Sequence, residues 1–129
     1  MSVELIRTAA LTDAAPYAYA AVVDELVFTA GACPLDDDGR VVAPGDVTTQ
    51  ARRVMENLVT ALEAAGSGLA DVAKTTVYVA SADRADLVAA WDVVRAAFGD
   101  HDAPSTLLGV AVLGYPDQLV EVEAVAVRR

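Results

Sequence analysis

The sequence predicts an α+β protein: one mixed β-sheet with two helices packed on one face, in the order β-β-β-α-β-α-β-β. Two observations carry this expectation. Residues 47–65 and 84–98 repeat apolar side chains every three or four positions, the period of a helix with one buried stripe. The segments before, between and after them are short, apolar and rich in β-branched residues, and several alternate with period two. Two amphipathic helices suffice to cover one face of one sheet.

In chain order, residues 3–7 read as a short strand, followed by a polar segment that ends at Pro16. Tyr17–Val23 and Glu25–Ala30 read as strands joined tightly at Asp24, with Gly31 ending the second. The loop beyond carries Asp36, Asp37, Asp38 and Gly39; this suits a solvated turn, because no downstream residues complete an EF-hand spacing. In the first helix Val47, Ala51, Val54, Leu58, Ala61 or Leu62, and Ala65 form the stripe, with Asp46 at the N-cap and Gly66 at C′. Asp71–Ala80 reads as a strand with Thr75, Val77 and Val79 on one face and Thr76 and Tyr78 on the other. The second helix, Arg84–Phe98, turns Leu87, Trp91, Val94 and Phe98 inward, between an Asp83 cap and a Gly99 stop.

The last quarter holds two apolar runs, Thr106–Leu113 and Leu119–Val127, around Gly114-Tyr115-Pro116-Asp117, the pattern of a β-hairpin. In the second run Glu121 and Glu123 share a face with Val125 and Val127, while Val120, Val122 and Ala124 take the other. Two acids leading into an apolar row need solvent or partners, since an isolated buried charge is costly. A wet strand end and a pocket wall both meet that need.

Composition narrows the function. A chain of 129 residues is read as one domain, residues 1–129. A net charge of −10 argues against nucleic acid, whose phosphates it would repel. No apolar run approaches the roughly 20 residues of a membrane span, and the first residues lack a signal-peptide pattern, so a cytoplasmic location is expected. Cys33, the only cysteine, forms no internal disulfide and reads as a packing residue. His101, the only histidine, lies between two aspartates; a metal needs three or more converging ligands, so neither metal nor cofactor is expected. Hydrophobic residues make up 55% of the chain, more than a small monomer needs inside. Since two helices leave one sheet face bare, a second copy of the chain is the economical cover, with small-ligand clefts between subunits.

Seven pieces of sequence together resemble the RidA/YjgF family: Ala15-Pro16-Tyr17, Phe28-Thr29-Ala30-Gly31, Gln50-Ala51, Asn57-Leu58, Leu62 to Gly66, Val72 to Val79, and Val120 to Ala126. The similarity runs over nearly the whole chain. It implies a chorismate-mutase-like fold, a homotrimer in which sheets form a barrel with helices outside, and three inter-subunit clefts. The better-known members are deaminases that hydrolyse imines derived from enamines. Their carboxylate-binding arginine stands in a Pro-x-Arg-Ser-like segment, which here reads Pro104-Ser105-Thr106-Leu107, so Thr106 takes the arginine's place. A hydroxyl cannot supply the charge and bidentate geometry of a guanidinium. Trp91 falls at an asparagine of the deaminases, Leu108 at a frequent cysteine, and Ala30-Gly31-Ala32 at a Ser-Gly-Gln.

The resemblance leaves Glu121 and Tyr17 as candidate catalytic residues, with Glu121 handling water and its proton and Tyr17 hydrogen-bonding substrate. Thr106, Gly31, Trp91 and Leu108 are the candidate substrate-binding residues, with Trp91, Leu108 and Tyr115 making the cleft more apolar. Two functions follow: a diverged deaminase-like hydrolase of a C=N bond without an obligatory carboxylate, or a non-catalytic trimeric ligand- or partner-binding member. Ribonuclease activity fits poorly, given the acidity and the lack of a histidine pair.

Overall fold

The computed structural model describes residues 2–129. Its strands are β1 (Glu4–Ile6), β2 (Ala20–Val23), β3 (Leu26–Thr29), β4 (Val72–Val79), β5 (Ser105–Gly109) and β6 (Val120–Val127), and its helices α1 (Val47–Ala64) and α2 (Arg84–Phe98). The chain order is the expected one. Asp46 accepts from the Thr49 N–H at 3.0 Å and Asp83 from the Ala85 N–H at 2.9 Å, so both N-caps stand where the sequence places them. Gly66 and Gly99, at φ of 81° and 62°, turn the chain out of the two helices.

The six strands form one sheet in the order β1-β2-β3-β6-β4-β5, antiparallel except for β4 and β5. This corrects the predicted hairpin. β5 and β6 do not pair with each other; β4 lies between them, bonded to both. After α2 the chain returns parallel to β4 as β5, which is the usual geometry of a strand-helix-strand crossover. Strand pairing ends at Gly109, where a Cβ would meet the Ser81 carbonyl oxygen at 2.7 Å. Residues 110–119 then cross the end of the sheet to enter β6 on the far side. The Gly-Tyr-Pro-Asp turn is real, but it sits within a crossover rather than between paired strands.

The core fills the helix side of the sheet. Val77, Val79, Val120 and Val122 meet Val54, Leu58 and Leu62 of α1 and Ala90 and Val94 of α2. Each such valine or leucine side chain, fully buried, contributes about 1.5–3 kcal/mol. The opposite face carries Leu5, Leu26, Phe28, Leu108 and Val127, all substantially exposed, so the expected bare face is present in the single chain.

Two buried amides on α1, two helical turns apart, hold the loops that flank the sheet. Gln50 donates to the Asp117 carbonyl at 2.9 Å and accepts from the Leu119 N–H at 2.8 Å, fastening the crossover before β6. Asn57 donates to the carbonyls of Cys33 and Leu35 at 2.9 and 3.0 Å, fastening the loop after β3. Gln50→Leu keeps the volume but strands a buried N–H and a carbonyl. Urea denaturation of this variant is expected to show a loss of about 2–4 kcal/mol; a loss under about 0.5 kcal/mol would mean the crossover holds itself.

Candidate functional site

Glu121 leaves the central strand on the open sheet face, in register with Tyr78 of β4. Its Oε1 is approached by the Cys33 thiol at 3.4 Å and accepts from the Gln118 side-chain amide at 3.2 Å. Gln118 is itself buried. It also donates to the Val120 carbonyl at 3.1 Å and accepts from the Tyr115 N–H at 3.1 Å. Glu121 Oε2 lies against Gly31: a Cβ at that position would fall 2.2 Å from it. Gly31 thus leaves room for the carboxylate, and a side chain there would push Glu121 aside; its own backbone angles do not call for glycine.

Tyr17 joins the same cluster from the segment before β2. Burial raises its phenol above the ordinary tyrosine range, helped by the Tyr115 hydroxyl and by Cys33 and Glu121. It therefore stays protonated and can act as a donor. Burial also pushes the Cys33 thiol up to about 12, with the Glu121 carboxylate adding to the effect. A thiol held protonated this way is no nucleophile at neutral pH, consistent with the expected packing role. Tyr17, Gly31 and Cys33 border a cavity of about 30 Å³, room for about one or two waters but not for a ligand.

The other sequence candidates lie elsewhere. Thr106 and Leu108 sit on edge strand β5, in register with Thr76 and Tyr78 of β4. They share the open face with Glu121, but the width of β4 separates them, about 10 Å across two strand spacings. The Lys74 ammonium donates to the Thr106 hydroxyl at 3.2 Å. Trp91 is on the opposite side of the sheet, half-buried with Thr75, Phe98 and His101 under α2. It packs a helix onto the sheet and does not join Glu121. His101 bonds the Val72 carbonyl at 2.7 Å, a structural contact. Glu123 accepts from the Tyr78 hydroxyl at 2.6 Å and faces different neighbours from Glu121.

Gln118 and the polar part of Cys33 and Tyr115 escaped sequence reasoning. Cys33 lies 88 residues from Glu121, so no spacing rule joins them; only Gln118, three residues before the acid, carried a local signal. A surface depression of about 1030 Å³ lies between the helices and is lined by Met55, Val59 and Val93 with Arg52, Glu56 and Asp92. It is remote from the cluster. Among the described residues, no three potential metal-ligating side chains converge.

A six-stranded mixed sheet with both helices on one face defines a class of small α+β proteins known from solved structures. A Thermotoga maritima protein superposes with a TM-score of 0.86 at 34% identity over 100% of this chain and 99% of the other. Escherichia coli TdcF, solved with bound serine, gives 0.83 at 32% over 98% and 99%. The chain belongs to the endoribonuclease L-PSP family, the RidA/YjgF group, whose family model matches residues 7–128. A RutC family protein of Drosophila melanogaster is 38% identical over 95% of this chain and 88% of its own. The 2-iminobutanoate/2-iminopropanoate deaminase of Salmonella typhimurium is 37% identical over 88% of each.

The Cys33 environment sets a chemical expectation. With a folded value near 12 against an ordinary thiol of 9.0, the thiolate is scarce at pH 8 and grows as pH rises toward 12. Iodoacetamide should modify native Cys33 at least about 100-fold more slowly than the guanidinium-unfolded chain at pH 8. Glu121→Gln, which removes one contribution but leaves burial, should raise the native rate. Equal native and unfolded rates would contradict the placement of this thiol.

Proposed function

We propose that the protein is a diverged deaminase-like hydrolase of imine-type C=N bonds, working as a homotrimer with its ligand between subunits. The observation that carries this reading is the Glu121 carboxylate, held on Oε1 by Cys33 and Gln118 and lying with Oε2 against Gly31, beside a protonated Tyr17. The deaminase names among the relatives support the reaction class. The uncovered apolar sheet face supports the assembly.

In this reading water adds to the imine carbon as Glu121 takes its proton and delivers it to the C=N nitrogen, giving the carbinolamine. Glu121 then takes the carbinolamine hydroxyl proton and passes it to the nitrogen as the C–N bond breaks, forming the carbonyl and expelling ammonia. Imine plus water gives carbonyl plus ammonia. Tyr17 donates a hydrogen bond to the substrate. Thr106 and Leu108, on the edge of one chain, complete the wall of a cleft whose floor is Glu121 of the next. With Thr106 in the arginine's place, the substrate needs no carboxylate beside its C=N carbon. Nothing in this chemistry calls for a metal or cofactor.

The Lys74–Thr106 hydrogen bond favours the second reading, a non-catalytic binding member, because it engages the hydroxyl that would otherwise meet substrate. Two experiments separate them. Glu121→Gln should abolish imine turnover, measured as ammonia release, while light scattering still reports a trimer; Glu123→Gln should change turnover little. A stable monomer at micromolar concentration would remove the two-chain site altogether, and a parent inactive on every imine tested would favour the binder. Thr106→Arg should raise turnover of 2-iminopropanoate about 10- to 150-fold, the value of a charge-assisted contact of about 1.5–3 kcal/mol. No gain would mean that another group already clamps the carboxylate.

A further inference from the structure

Gln118 is a buried amide, 3% exposed, three residues ahead of Glu121 and just outside β6. The local sequence builds its seat. Tyr115 to Gln118 is a tight turn, closed by the Gln118 N–H on the Tyr115 carbonyl at 3.1 Å. Pro116 stands second in it and Asp117 third, at φ of 65°. Proline second and a positive φ third is the pattern of a type II turn. Gln50 of α1 grips the backbone on either side, donating to the Asp117 carbonyl and accepting from the Leu119 N–H. Gln118 is thus fixed by the turn behind it and by the helix beneath it.

Its amide can point only one way. The oxygen accepts from the Tyr115 N–H at 3.1 Å, while the nitrogen donates to the Val120 carbonyl at 3.1 Å and to Glu121 Oε1 at 3.2 Å. Reversing it would set oxygen against two acceptors and nitrogen against a donor. Oε1 also takes the Cys33 thiol at 3.4 Å, so both hydrogen bonds to the carboxylate fall on one oxygen. Among the described residues nothing donates to Oε2, which lies on the Gly31 side. A donor aimed at a charged acceptor holds it more firmly than a neutral pair would.

We propose that Gln118 is the positioning residue of this site: it holds Glu121 by Oε1 and leaves Oε2 as the oxygen that handles the proton. The proton-handling part rests on the reading of Glu121 as the hydrolytic acid. One oxygen then takes each proton and passes it on to nitrogen, so the C=N group and its water both lie on the Gly31 side of the carboxylate. Gln118 itself acts through Glu121 and touches no substrate.

The first measurements need neither substrate nor a change at Gln118. By NMR of the ¹⁵N-labelled parent, the Gln118 side-chain amide protons should exchange with water at least about 100-fold more slowly than those of free glutamine. In Glu121→Gln, where the acceptor loses its charge, that exchange should quicken about fivefold or more. Gln118→Met keeps the length and removes the donor. Its crystal structure should show the Glu121 carboxylate moved away from Gly31 or in more than one position. In imine turnover its kcat should fall about 10- to 100-fold with KM within about twofold of the parent's, while light scattering still reports the parent's assembly. Exchange as fast as in free glutamine, exchange unaffected by Glu121→Gln, an unmoved carboxylate in Gln118→Met, or an unchanged kcat would each overturn the assignment. A parent that turns over no imine, yet shows the protected amide and the displaced carboxylate, would support the positioning and remove the hydrolase reading.

Discussion

The structure depends on β6 lying in the middle of the sheet. A strand with neighbours on both edges can bury only what its alternation allows, and here Val120, Val122, Ala124 and Ala126 go beneath the helices. That leaves Glu121, Glu123, Val125 and Val127 no choice of face. The acids are carried to the open side as a by-product of packing the valines, and the candidate site begins from that geometric necessity. Shifting β6 by one residue would bury two carboxylates under α1, at a cost no core of this size could absorb.

Loops then make the cluster specific. Gly31 and Cys33 arrive after β3, Tyr115 and Gln118 in the crossover before β6, and Tyr17 ahead of β2. Loops of this kind hold position poorly unless buried polar groups fix them. Gln50 and Asn57, on the inner stripe of α1, perform that task by satisfying backbone groups in two of the three. The same helix therefore closes the hydrophobic core and places the polar residues on the far side of the sheet. Its two amides are part of the family pattern in the sequence, and the hydrogen bonds give a physical reason for them.

Electrostatically, the cluster is a carboxylate surrounded by neutral donors. Cys33 and Gln118 satisfy one oxygen without neutralising the charge, and Gly31 gives the other room. The cations of the open face stand away from it, Lys74 with Thr106 and Arg7 at the end of β1.

Much of the fold was legible in the sequence because it is written in local periodicity. The stripes of α1 and α2, their aspartate caps, the glycines that end them and the two-faced alternation of β6 each follow from side chains a few residues apart. The placement of Glu121 on the face opposite Val120 and Val122 followed from the same rule. The pairing of β5 and β6 was misread, because a turn signature says that the chain reverses and not whether the strands beside it touch. Only the tertiary structure inserted β4 between them. Trp91 points inward from α2, as the stripe of that helix requires. The partners of Glu121 were beyond the sequence for a related reason: Cys33 and Gly31 lie some 90 residues away, and contacts of that range are decided by which strand sits in the middle of the sheet.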